Sequence, residues 1–265
     1  MPMTAKEIIH DLEQVRARSP LVHNITNYVV MNSTANALLA VGASPVMAHA
    51  LDEVEDMVGI ASALVINIGT LSGPWVAAMK KAAQRAAQKG IPIVYDPVGA
   101  GATPYRTRTI LDLLHASPPA IIRGNASEIM AVAGAASTTR GVDSAAAADS
   151  ALDSARTLSQ RHDCVVCISG ETDHIVRKDK TSWIKNGHEL MPKVTGLGCT
   201  ATALCGAFAA VADPFRAAVS AMAVMGIAGE IAAERSSGPG SMQVNFLDTL
   251  YNLDGKEIEQ RLKIA

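Results

Sequence analysis

Residues 195–201 read Thr195-Gly196-Leu197-Gly198-Cys199-Thr200-Ala201, two glycines ahead of an alanine-rich stretch. Glycine lets a backbone come close to a ligand, and free N–H groups at a helix start attract an anion. Cys199 falls in that first turn, where the helix end is expected to lower its pKa and give some thiolate. The competing reading is a tight turn into a helix with a buried thiol. The spacing Gly196-x-Gly198-x-x-Ala201 also matches the start of a dinucleotide fingerprint. That fingerprint needs a strand next and an acidic residue about twenty positions on, whereas here helix follows helix. No G-x-x-x-x-G-K-[ST] run is present, which excludes a P-loop.

Five other polar clusters each follow a short apolar run. They are His23-Asn24-Ile25-Thr26-Asn27, Asn67-Ile68-Gly69-Thr70, Asp96-Pro97-Val98-Gly99-Ala100-Gly101, Arg123-Gly124-Asn125-Ala126-Ser127-Glu128 and Ser169-Gly170-Glu171-Thr172-Asp173. Each alone is an ordinary turn. Five in succession at one sheet edge point to a shared polar site, because open parallel sheets bind ligands at the carboxyl ends of their strands. Asp96 and Glu128 are the carboxylates there, and Mg²⁺ is usually held by one or two carboxylates plus waters and substrate phosphates. A triphosphate needs that ion and a cationic contact, which Arg123 can supply; the alternative for Arg123 is a surface ion pair. Met47 reads either as core or as a soft thioether against a ligand ring. His23 reads as structural, and His49, His174 and His188 have no metal-ligand spacing.

These clusters need a scaffold. Strands are expected at Leu21–Asn24, Pro45–Ala48, Leu64–Ile68, Ile91–Tyr95, Ala120–Ile122 and Val165–Ser169. Helices are expected over residues 1–18, Thr34–Val41, Pro74–Lys89, Pro104–His115, Ser127–Ala133 and Ser144–Gln160. Ser72, Thr103 and Asp213 are N-cap types with Pro74, Pro104 and Pro214 just inside, and Gly90 is a C-terminal stop followed by Pro92. Strands alternating with such helices imply βαβ units and a parallel sheet. Asp173–Arg177 and Thr181–Lys185 read as an antiparallel edge hairpin, with Glu189–Met191 as a possible further strand. Beyond Lys193 three helices are expected, Thr200–Val211, Pro214–Ser236 and Ser241–Leu253. No interdomain linker or repeat is visible, so residues 1–265 read as one α/β domain.

With 265 residues the chain can bury about three quarters of its unfolded surface. Lys and Arg total 23 against 25 Asp and Glu, which is not the basic footprint of a nucleic-acid binder. Nine aromatics against 45 alanines argue against base-stacking platforms and for close helix packing. Apolar runs such as Ala201–Ala212 fall short of the ~20 residues of a membrane span, and residues 1–18 are amphipathic rather than a secretory signal. Cys164 and Cys167 sit three apart in one apparent strand and so point to opposite faces, against a redox pair. A reducing cytoplasm is the expected location.

Taken in order, His23–Asn27, Asp96-Pro97-Val98-Gly99-Ala100-Gly101, Arg123-Gly124-Asn125-x-Ser127-Glu128, Ser169-Gly170-Glu171-x-Asp173 and Gly196-x-Gly198-Cys199 resemble the hydroxyethylthiazole kinases, the thiamine-salvage branch of the ribokinase-like superfamily. The likeness runs from about residue 7 to residue 250, and its strength lies in the ordered set. It implies an α/β/α sandwich with a mostly parallel sheet, and a homotrimer with sites between subunits. It implies phosphorylation of the primary alcohol of 4-methyl-5-(2-hydroxyethyl)thiazole by ATP with Mg²⁺. Carried over, Met47 and Gly196 contact the thiazole, with Asn24 and Asn27 near that pocket. Arg123 and Ser169 contact ATP, Asp96 and Glu128 serve the Mg²⁺–phosphate region, and the backbone of Gly196, Leu197, Gly198 and Cys199 forms an anion hole. Many superfamily kinases carry Asp where this chain has Cys199; Cys marks the thiazole branch and leaves the base open. The rivals are a hydroxymethylpyrimidine, pyridoxal or sugar kinase, an ATP-dependent dehydratase of nicotinamide hydrates, and a non-catalytic nucleotide-binding regulator.

Overall fold

The computed structural model describes residues 3–135 and 144–265. The first half runs α1 (Ala5–Arg18), β1 (Leu21–Ile25), α2 (Met31–Val41), β2 (Ser44–Val46), α3 (Val54–Ile60), β3 (Ala63–Asn67), α4 (Gly73–Lys89), β4 (Ile93–Asp96) and α5 (Pro104–Ala116). It continues with β5 (Ile121–Asn125), α6 (Ala126–Ala133), α7 (Ser144–His162), β6 (Val165–Ser169), β7 (Asp173–Arg177) and β8 (Lys180–Ile184). A 3₁₀ turn at Met191–Lys193 leads into α8 (Leu197–Ala209), α9 (Pro214–Glu234), α10 (Pro239–Asn252) and α11 (Gly255–Arg261).

The strands form one sheet in the order β2-β1-β3-β4-β5-β6-β7-β8. β1 to β6 pair in parallel, and β7 and β8 add an antiparallel edge. Both faces are covered. Val22, Val65, Val94, Ile121 and Cys167 pack with residues of α1, α2, α8, α9 and α10. Ile25, Leu64, Ile66, Tyr95, Ile122 and Val166 pack with residues of α3 to α7. Strand alternation therefore yields the sandwich, and it divides Cys164 from Cys167 as expected.

Local chemistry sets the helix limits. The side chains of Ser72, Thr103 and Asp213 accept from Trp75, Arg106 and Phe215 backbone N–H groups respectively. Gly90 ends α4 at φ +76°, a region costly for residues with a Cβ.

Several expectations need correction. Residues 1–2 of the expected first helix lie outside those described. Glu189–Met191 is no strand, and the chain makes its 3₁₀ turn there around Pro192. The short helices α3 and α11 carry too few turns to show a clear apolar period. After Lys193 the backbone does return to the sheet, where Trp183 and Ala265 exchange backbone hydrogen bonds and Ile184 bridges Ile264. That tail covers the β8 edge, which would otherwise offer unpaired groups to another strand. Finally, α9 is long and apolar enough to cross a membrane by length and composition. Arg216 and Glu230 break it up in sequence, so no continuous apolar run is visible. Its most apolar window is 94 % buried as a core helix of the sandwich.

Candidate active site

Alternation carries one polar side chain per strand to the α8 face of the sheet. Val65 and Val94 pack there, and two residues on in each strand come Asn67 and Asp96, register partners across β3 and β4. Arg123 follows Ile121 on β5 in the same way, and Asn24 follows Val22 on β1. All four are buried: Asn24 and Asn67 at 1 %, Asp96 at 1 % and Arg123 at 8 % exposure. Above them comes the start of α8. Gly196 opens it at φ +87° with no side-chain cap, so no side chain caps its first-turn N–H groups. A Cβ on Gly196 would fall 2.7 Å from Val30 Cγ1. One on Gly198 would fall 3.0 Å from Arg123 Nη1, and one on Gly206 2.5 Å from Val65 Cγ2. Gly198 and Gly206 thus let α8 come close to the strands, and Gly196 lets its start come close to the N-terminus of α2.

Asp96 is the centre of that row. Its Oδ2 accepts from Asn67 Nδ2 and from Thr202 Oγ1, both at 2.7 Å. Burial pushes its pKa up to about 7; Arg123 and the two hydrogen bonds oppose that, and Glu128 adds to it. Arg123 is not the surface ion pair that its sequence also allowed. It lies within electrostatic reach of both Asp96 and Asp173, and its Nε has no partner. Burial raises Asp173 to about 6, against a hydrogen bond from Gly170 N–H and the pull of Arg123.

Cys199 does not behave as its place in the helix suggested. Its Sγ accepts a hydrogen bond from Asn27 Nδ2 at 3.4 Å. Burial, then the nearby Asp96, push its pKa up to about 11, outweighing Asn67, Asn27 and Arg123. The thiol keeps its proton at neutral pH. The expectation of a lowered pKa fails because desolvation outweighs the other influences on the group.

Glu128 sits in the first turn of α6 and is half-buried. Its Oε2 accepts from Asn125 N–H in a capping box, and its Oε1 accepts from Gly99 N–H at 2.9 Å. It ties the loop after β4 to the junction of β5 and α6. Arg106 does similar work: Nη1 donates to the carbonyls of Ile68 and Val98, and Nη2 to that of Gly69. Neither Arg106 nor Thr202 stands out as a site residue in sequence, and Asn67 enters only within a strand-end cluster, with no role of its own. The signal for Asn67 was its place at the end of an otherwise apolar strand.

The remaining expected residues are placed as follows. Ser169 ends β6, opposite Asn125, and its hydroxyl donates to Gly124 O at 3.4 Å. Asn24 donates to its own strand at Val22 O, and its buried Oδ1 has no partner. Met47 is half-buried just past β2 and outside the two core clusters. That segment is tied to β1 by His23 Nε2–H donating to Ala48 O at 2.7 Å, the structural role expected of His23. Beside it His49 stacks on Trp75 at 4.1 Å, and Tyr28 meets Trp75 edge-on at 4.4 Å. No group of three or more His, Cys, Asp or Glu side chains able to hold a metal occurs among the described residues. Asp96 and Glu128, part-engaged with protein donors, suit a hard cation completed by water and phosphate rather than an all-protein cage.

Comparison with known proteins identifies the family. A family model described as the hydroxyethylthiazole kinase family matches residues 12–256. A curated hydroxyethylthiazole kinase from Syntrophus aciditrophicus is 61 % identical over 267 residues, covering 100 % of this chain and 99 % of the relative. The solved hydroxyethylthiazole kinase from Pyrococcus horikoshii superposes with a TM-score of 0.91 at 45 % identity, covering 98 % of each chain. A pyridoxal kinase from Staphylococcus aureus, solved with AMP-PCP and pyridoxal, gives a TM-score of 0.61 at 16 % identity over 80 % of this chain and 88 % of that one. That last likeness is one of ribokinase-like fold alone.

Proposed function

The chain belongs to the hydroxyethylthiazole kinase family, and from that premise we propose how it phosphorylates the thiazole alcohol, with ATP as donor and Mg²⁺ as cofactor. The observation that carries this reading is the row Asn67–Asp96–Arg123 lying under the glycine-opened start of α8. Phosphoryl transfer passes through a loose, charge-spread transition state, so positioning and electrostatics dominate. An anion placed at the α8 start meets backbone N–H groups of Gly196–Cys199 from one side and the Arg123 guanidinium from below.

Asp96 and Glu128 hold Mg²⁺ in this reading, and the ion when bound neutralises phosphate charge. Arg123 and Ser169, on neighbouring strands, contact the nucleotide phosphates. Met47, Gly196, Asn24 and Asn27 line the thiazole side. Cys199 acts as a neutral thiol that places the hydroxyl, since a group titrating at about 11 is a poor proton acceptor near pH 7. Asn27 supports that role by donating to the sulfur and leaving the S–H free.

Residues 1–265 form one kinase domain in this reading. Tyr28 and Val29 flank Asn27 and are 63 and 65 % exposed, which supports a homotrimer covering this edge of the site. Four cysteines without a disulfide support a cytoplasmic location. The test is ADP release from Mg·ATP with hydroxyethylthiazole, hydroxymethylpyrimidine, pyridoxal, ribose or no acceptor. Mg²⁺-dependent turnover with the thiazole alcohol alone supports the reading. Turnover without Mg²⁺, or with another acceptor only, overturns it.

A further inference from the structure

Asn67 is 1 % exposed, so it acts through its neighbours. Its amide orientation is settled by the backbone: Gly69 N–H, which can only donate, points at Oδ1 at 2.9 Å. Oδ1 is therefore the acceptor, and Nδ2 must face Asp96, where it donates to Oδ2 at 2.7 Å. The same Oδ1 accepts from Asn27 Nδ2 at 2.9 Å. Asn27 is thereby oriented too, and Val29 N–H, donating to Asn27 Oδ1 at 3.1 Å, agrees independently. Asn27 Nδ2 can then offer only N–H to Cys199 Sγ. One backbone N–H thus propagates a fixed hydrogen-bond direction through two amides to the thiol, and through the other end of Asn67 to the carboxylate. Asn67 bonds directly to both arms.

We propose that Asn67 is a positioning residue for phosphoryl transfer, which orients Asn27 under Cys199 and Asp96 toward the phosphates through a single locked amide. The proposal rests on the residue roles given above. It separates two arms. The Asn27 arm bears on the thiazole side, where Asn67 also acts on Cys199 directly, and the Asp96 arm bears on the phosphate side. A buried group that holds reacting residues in place changes rate through small displacements, without touching substrate.

The experiment is steady-state kinetics on the full chain with Mg·ATP and the thiazole alcohol, each variant checked by thermal melting. Asn67→Asp keeps the shape and an acceptor for Gly69 and Asn27 but sets a second carboxyl against buried Asp96, so that the two must share one proton and the fixed N–H donor is lost. Its kcat should fall about a hundredfold, while KM for the thiazole stays within about threefold. Asn67→Ser keeps only a short hydroxyl for the Gly69 N–H and loses both arms. It should lower kcat similarly and raise the thiazole KM about tenfold. If Asn67→Asp does not fold, Asn67→Ser carries the test by its joint effect on both constants. Folded variants whose kcat stays within about threefold of the unaltered chain, with only the melting temperature moved, would make Asn67 merely structural and overturn the proposal. Loss of thiazole turnover in the unaltered chain would overturn the underlying roles instead, which keeps the two failures apart.

Discussion

Arg123 Nη1 lies 3.0 Å from the position that a Cβ on Gly198 would take. The guanidinium therefore occupies the space a side chain would fill, at the exposed first turn of α8. A fixed positive charge thus lies beside the uncapped N-terminus of a helix. The glycine here is required by that close approach and not by backbone dihedrals, since no positive φ occurs at residue 198.

Gly198→Ala should therefore fold normally and lose activity. Alanine favours the helix by about 1 kcal/mol over glycine. Its methyl displaces Arg123 by a few tenths of an ångström and narrows access to the N–H groups. The kinetics should show a fall in kcat/KM of about tenfold or more for ATP, with an unchanged or raised melting temperature. An active, stabilised variant would mean the close contact has no part in nucleotide handling.

Arg123→Ala should raise KM for ATP more than KM for the thiazole. It should also destabilise the chain, because Asp96 and Asp173 lose their buried counter-charge; such losses run to about 3–5 kcal/mol. Equal effects on both KM values, measured at a temperature where the variant is folded, would show that Arg123 does not contact the nucleotide.

The buried carboxylate gives a stability signature. The folded-state pKa of Asp96, about 7, lies above its ordinary value of 3.8. Between those values the folded state holds more protons than the unfolded one, so this group's contribution falls as pH rises. Asp96→Asn removes it. Without nucleotide, the variant's stability relative to the unaltered chain should grow by on the order of 1–3 kcal/mol from about pH 5 to about pH 8. Thermal melts at both pH values check this, and a gap that shrinks with pH would show that the carboxylate is not held raised. The same variant should need more Mg²⁺ for half-maximal rate, if it turns over at all.

Arg106→Lys tests the clamp on the loops after β3 and β4. Lysine keeps the charge but cannot reach the Ile68, Val98 and Gly69 carbonyls with one fork. It should cost about 1–3 kcal/mol of stability and about tenfold in kcat/KM. A drop in melting temperature with full activity in the folded protein would assign Arg106 to stability alone.

Much of this architecture was legible in the residues. Ser72, Thr103, Asp213 and Gly90 mark helix limits by local chemistry, and they perform those roles. Strands such as Val165–Ser169 are apolar up to their last residue because both faces are covered. The ordered strand-end clusters led to Asp96, Glu128 and Arg123. What was illegible depends on distance in three dimensions. Thr202 looks like any helix residue until α8 settles on β4, and Arg106 looks like a surface arginine until two loops fold around it. Cys199 departs from its helix-position expectation because that position is local, whereas burial of the thiol and the nearness of Asp96 are tertiary.

In the proposed mechanism the α8 start and Arg123 perform the transfer while Cys199 stays a neutral positioning thiol. The direct measurement is the kcat pH profile of Cys199→Ala beside that of the unaltered chain. A neutral positioning thiol gives a rate within about tenfold and the same profile, since a contact and not the base is lost. A loss of about 10⁴-fold, or disappearance of a pH-dependent limb, would make the thiol the essential proton acceptor and contradict that mechanism.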